Sequence, residues 1–117
     1  MYPQLKLAAG YDHCWVVAGE GNTLKQAAIV EEPTSGRRLE VFSTAPGIQF
    51  YSGNYLGTGQ NPGVHDFKYR QGLCLEPQDF PDAPNRSDYP STALVIGETY
   101  RHDIEYRISL MEKAAIR

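Results

Sequence analysis

The chain has 117 residues, 41% of them hydrophobic and 21% charged, with a formal net charge of −3. That length accommodates one ordinary domain and not two, and that composition belongs to globular proteins rather than disordered tails. The acidic balance argues against a nucleic-acid partner, since phosphate backbones need a clustered basic face. The densest basic spots are only Arg37-Arg38 and Lys68-Tyr69-Arg70.

No membrane partner is expected either, because the longest apolar run, Cys14 to Ala18, is far shorter than a bilayer span. Met1 to Lys6 lacks the charged start and apolar stretch of a secretory signal. Cys14 and Cys74 have no C-x-x-C spacing, so reduced thiols in a cytoplasmic protein are the expectation. Eight Tyr, eleven Gly and eight Pro lean towards strands joined by turns.

In chain order, Asp12 to Ala18 is short, apolar and β-branched, as a buried strand is. Gln26 to Glu32 and Arg37 to Thr44 flank Pro33-Thr34-Ser35-Gly36. That connection has Pro where a turn fixes φ and Gly where it needs positive φ, which predicts a β-hairpin. Gly47 to Ser52 reads as a strand opened by Pro46-Gly47, and Gly72 to Glu76 as another. Gln60 to Lys68 and Gln78 to Pro90 are rich in Pro, Asn, Asp and Gly and read as loops. The second is long enough that it is expected to pack on something or to serve the site. Ile96-Gly97-Glu98 reads as a tight turn.

From Tyr100 to Leu110, apolar or aromatic residues (and His102) at even positions alternate with charged or polar residues at odd ones. Period two predicts a strand with Ile104 and Ile108 facing inward. Only Met111 to Ile116 has room for a helical turn. The strand pattern begins almost at the N-terminus, and several strands are apolar on both faces. Such strands need a second sheet over them and neighbours at their edges. The predicted class is all-β, an antiparallel sandwich.

Four stretches carry a family resemblance. They are Gly10-Tyr11-Asp12-His13, then Pro46 through Asn54, then Gly72-Leu73-Cys74-Leu75-Glu76-Pro77-Gln78-Asp79-Phe80-Pro81-Asp82, and last Pro90-Ser91-Thr92 with Gly97-Glu98-Thr99-Tyr100. In this order and spacing they resemble the C-terminal part of the aldose 1-epimerase family, over nearly the whole chain. The resemblance implies a galactose-mutarotase-like supersandwich that binds a free hexose and interconverts its anomers without cofactor or metal. It also implies that residues 1–117 form the C-terminal portion of a single domain.

By the resemblance, Glu76 corresponds to the general base, and Asp12 and Gln49 to residues that hold the sugar hydroxyls. The residues themselves are suited to this. Glu76 closes an apolar strand before a Pro-rich loop, where partial burial raises a carboxyl pKa towards the range of a useful base. Asp and Gln side chains accept from, or bridge, vicinal hydroxyls. Without the resemblance a solvent-facing strand-end Glu, a turn-capping Asp and a surface Gln are the plainer readings. His13 adjoins Asp12 but falls on the opposite strand face, and His65 and His102 read as loop and packing residues. The family's acid histidine, a second substrate histidine and an arginine belong, by the resemblance, to a preceding portion. The implied partners are therefore a free hexose and either that N-terminal portion or a second copy. A different class of function is a non-catalytic sugar-binding module that stacks a pyranose on Tyr51, Tyr55 or Phe80.

Overall fold

The computed structural model describes residues 2–57 and 67–111. His65 and all but the first residue of the Met111 to Ile116 segment lie outside the described residues. Of the loop expected over Gln60 to Lys68, only the end is described.

Among the described residues, six strands form two antiparallel sheets. They are β1 (Asp12–Val16), β2 (Lys25–Glu32), β3 (Arg37–Ser43), β4 (Gly47–Tyr51), β5 (Cys74–Gln78) and β6 (Ile104–Leu110). One sheet has the order β1-β4-β5, the other β2-β3-β6. The described residues are all-β apart from the five-residue helix α1 (Pro3–Leu7) and a 3-10 turn at Ala83–Asn85. The strand pattern gave no hint of α1, which starts on Pro3 at a position that tolerates a missing N–H. Among the described residues no helix is long and apolar enough to cross a membrane.

The hairpin β2-β3 forms as its turn chemistry requires. Gly36 adopts φ +73° and its N–H donates to the Glu32 carbonyl at 2.8 Å. The Glu32 carboxylate accepts the N–H groups of Thr34 and Ser35 at 2.8 and 2.7 Å. Hydrogen bonding from the Ser35 side chain first, then from these backbone groups, favours the charged form and holds its pKa down at about 2. Cross-strand pairing sets Glu31 opposite Arg38, and the two form an ion pair.

The core lies where the central strands of the two sheets face each other. Val41 of β3 is fully buried and Ile48 of β4 is 5% exposed, and Val17 completes the cluster. Leu39, Leu75, Ala27 and Ala28 pack around it. The long loop after β5 packs back onto the sheet, as expected of its length. Phe80 lies so close to Gly47 that a Cβ there would meet its ring at 3.0 Å, and Phe80 meets Tyr89 edge-on.

All six strands differ from expectation at one end or both, and the differences at β5 and β6 have a clear cause. β5 runs on through Pro77 to Gln78, which an edge strand tolerates because only one side of it must donate to a ladder. β6 starts at Ile104 rather than Tyr100, because its partner β3 ends at Ser43. There the chain bends, with Ala45 N–H donating to Ser43 Oγ at 2.9 Å and His102 Nε2 lying 2.8 Å from the same oxygen. The turn before it is present, with Glu98 N–H donating to the Val95 carbonyl.

The inward facing of β6 is corrected by the structure. Ile104 and Ile108 are 43% and 84% exposed. Their register puts Tyr106 opposite Val41 and Ile108 opposite Leu39, so they do lie on the core-side face of the sheet. β6 is an outer strand, however, and no element among the described residues covers it there.

Burial predicts stability accordingly. Val41→Ala is expected to cost about 2 kcal/mol in urea unfolding, whereas Ile108→Ala should change stability by less than about 0.5 kcal/mol. Glu32 gives a pH dependence of known sign. Its folded pKa is depressed, so its stabilising contribution is complete above the ordinary carboxyl value. It fades as pH falls towards 2. Titration of the Thr34 and Ser35 amide resonances should show this in the wild type and not in Glu32→Gln.

Candidate active site

Alternation along three neighbouring strands assembles the site. In the sheet β1-β4-β5, Cys14, Gln49 and Glu76 stand in one cross-strand row, and Asp12, Tyr51 and Cys74 in the next row on the same face. Ile48, with Leu75 behind it, faces the core, so Gln49 and Glu76 necessarily face away from it. Gln49 occupies the central strand, flanked by Asp12 on one side and Glu76 on the other.

Gln49 Nε2 donates to Asp12 Oδ1 at 2.7 Å. This bond fixes which end of the amide points at the carboxylate, and it leaves the carbonyl end turned away. Among the described residues, Gln49 Oε1 is the one buried side-chain polar atom without a hydrogen-bond partner. A buried acceptor without a donor costs free energy, and a hydroxyl group placed here satisfies it.

Glu76 is exposed, as is Asp12. The partial burial expected at the end of an apolar strand is absent, because β5 is an edge strand. Cys74 shares the face. Burial first, then the nearby carboxylates of Glu76 and Asp12, push its thiol pKa up. Burial likewise raises the pKa of Cys14. Tyr51 is also on this face, its hydroxyl accepting the Tyr55 N–H at 2.8 Å. Phe80 packs on this face too, at its Gly47 end, where a Cβ on Gly47 would meet the Phe80 ring and Cys14 Sγ at 3.0 Å.

The histidines lie elsewhere. His13 pairs with Phe50 on the opposite face and meets Tyr11 edge-on, and His102 sits against Ser43. A cleft of about 580 Å³ opens at the other end of this sheet, lined by Lys25, Pro46, Phe80, Ser91 and His102 among others. It touches none of Asp12, Gln49 and Glu76, so this cleft and the polar row are different places.

A network missed by pattern reading anchors the row. Asn54 is 2% exposed. Its Nδ2 donates to the carbonyls of Tyr11 and Ala8 at 2.8 and 3.3 Å, and its Oδ1 accepts from Ser52 Oγ at 2.7 Å. Ser52 Oγ in turn accepts the Tyr11 N–H at 3.0 Å. The residue before Asp12 is thereby tied to the end of β4. Gly10 is required for this closure: it has φ +147°, and a Cβ there would lie 2.1 Å from Asn54 Oδ1. No periodicity relates positions 11 and 54, so sequence pattern carries no signal for the pairing.

The family model for aldose 1-epimerase matches residues 3–107. The chain belongs to the aldose 1-epimerase family. It is 41% identical over 104 residues to a galactose mutarotase of Mus musculus, covering 86% of this chain and 30% of that protein. It is 38% identical over 100 residues to an aldose 1-epimerase of Escherichia coli K12, covering 84% and 29%. A galactose mutarotase of Homo sapiens is 40% identical over 104 residues, covering 86% and 30%. The chain thus spans about 30% of the length of these curated relatives.

Asn54→Ala leaves the carbonyls of Tyr11 and Ala8 without their buried donor. It is expected to cost about 1–3 kcal/mol in denaturant unfolding. It should also shift the Gln49 side-chain amide resonances, since Asp12 loses its fixed position against that amide.

Proposed function

We propose that this chain carries the base side of a mutarotase site, with Glu76 as general base and Asp12 and Gln49 as sugar-hydroxyl ligands. One observation carries the reading. The three residues implied by the family resemblance come from three separate strands, yet they share one sheet face around an unsatisfied buried acceptor. The relatives' printed activities, galactose mutarotase and aldose 1-epimerase, agree with a free aldohexose as substrate.

In this reading Glu76 takes the proton from the anomeric hydroxyl while an acid protonates the ring oxygen. The bond between the anomeric carbon and the ring oxygen breaks, giving the open-chain aldehyde. Rotation about the adjacent carbon–carbon bond and reclosure, with the two proton transfers reversed, yields the other anomer. Asp12 and the Gln49 carbonyl hold hydroxyls so that the anomeric group stays at Glu76, because catalysis depends on prepositioning. An exposed carboxylate suits proton exchange but lacks the walls that would exclude water.

No histidine among the described residues shares the face. The acid therefore comes, in this proposal, from the portion that precedes this segment in the relatives, with residues 1–117 as the C-terminal portion of one cytoplasmic domain. A non-catalytic sugar-binding module is less favoured, because Phe80 is packed against Gly47 and Tyr89 and the face carries Asp12, Gln49 and Glu76 together.

Polarimetry of α-galactose and α-glucose tests the proposal. The isolated chain should leave anomer equilibration near its spontaneous rate, and mixing with an N-terminal portion of a relative should accelerate it. In that mixture Glu76→Gln should lower turnover by roughly two to four powers of ten with little change in affinity. Near-normal turnover of the Gln variant would place the base elsewhere.

A further inference from the structure

The two sheets present four outer strands, and three of them are blunted against pairing. β2 carries a register shift between Gln26 and Ala28, β5 contains Pro77, and β1 is only five residues long. Such bulges, prolines and short lengths are the usual protection of a sheet edge. β6 has seven residues, no proline and continuous register against β3.

Its odd-numbered residues direct their backbone groups at β3. Thr44 N–H donates to the Asp103 carbonyl at 3.1 Å, and Met111 N–H to the Gly36 carbonyl at 2.7 Å. Backbone direction alternates along an antiparallel strand, so Ile104, Tyr106, Ile108 and Leu110 offer theirs to the free edge. The same four residues form the uncovered apolar stripe. On the opposite face Arg107 Nε donates to Glu105 at 2.5 Å, and its guanidinium lies 4.0 Å from the Phe42 ring centre.

We propose that the free edge of β6 binds β6 of a second copy of this chain, antiparallel, with the two-fold axis at Tyr106. Edge hydrogen bonding requires even-numbered residues to face even-numbered ones, and three central registers meet that condition. Setting Tyr106 opposite Ile104 places the two Glu105 carboxylates face to face. Setting it opposite Ile108 opposes the two Arg107 side chains. Setting Tyr106 opposite itself puts Glu105 of each copy across from Arg107 of the other, and Ile104 across from Ile108, twice each. Only this register is complementary on both faces, since opposite charges across strands attract and like charges repel. The result joins two three-stranded sheets into one of six strands. It does not depend on the catalytic reading, because it is read by mass and not by turnover.

The test is sedimentation velocity of the full chain under reducing conditions. The wild type should be a dimer. Glu105→Arg and Arg107→Glu should each weaken it by roughly ten- to a hundredfold, since each creates two like-charge pairs. Mixing the two variants should restore a heterodimer, and the double variant E105R/R107E should restore a homodimer. Should either reversal fail to fold, Ile108→Lys changes a side chain that is already 84% exposed and should give the same loss. A wild-type monomer, a dimer indifferent to the reversals, failure of the mixture to recover, or pairing only with an N-terminal portion of a relative would each overturn the proposal.

Discussion

The burial of Val41 and Ile48 in one cluster governs the remainder of the molecule. Each belongs to the central strand of its sheet, and together with Val17 they are the place where the sheets meet. Side chains alternate along a strand, so burying Ile48 leaves Gln49 no choice of face. Antiparallel register then carries that choice across to Asp12 and Glu76. A slip of one residue in β4 would put Gln49 in the apolar core and expose Ile48. A handful of buried aliphatic groups thus determines where the polar row stands, without touching it.

The hairpin was legible in the sequence because its turn is written locally, in Pro33 through Gly36. β6 was legible as a strand because its alternation is strict. Its exposure was not, because alternation reports which face is apolar and says nothing of whether a neighbour lies over it. The same gap explains Glu76. An apolar run ahead of it suggests burial, but β5 ends up at a sheet edge with its carboxylate open. The extension of β5 past Pro77 was missed because a proline argues against a strand unless the strand is known to be outermost. The opposite placement of His13 and Asp12 needed only the two-residue period.

Family membership rests on motifs whose glycines now have a physical account. Gly10 admits the Asn54 side chain, and Gly53, at φ +70°, lies where a Cβ would approach the Gly72 carbonyl oxygen to 2.3 Å. Residues from three of the recurrent stretches therefore meet at one corner of the sheet β1-β4-β5. The motifs read as close approaches of backbone around the strand ends, with the polar row supported behind them. The openness of Glu76 and the bareness of β6 have a common setting, since each belongs to an outer strand of its sheet.

The order of strands along the chain has a kinetic meaning. β2 and β3 are joined by a four-residue turn, so their pairing closes a short loop and can form within microseconds. The bond from Gln49 to Asp12 spans 37 positions, with that whole hairpin lying between them. Its loop-closure entropy must be met before the contact rewards it. The polar row is thus a late-assembling element, complete only after the local hairpin has offered Val41 as a surface for β4 to settle on. A chain caught part-way would already hold its hairpin while its candidate site did not yet exist.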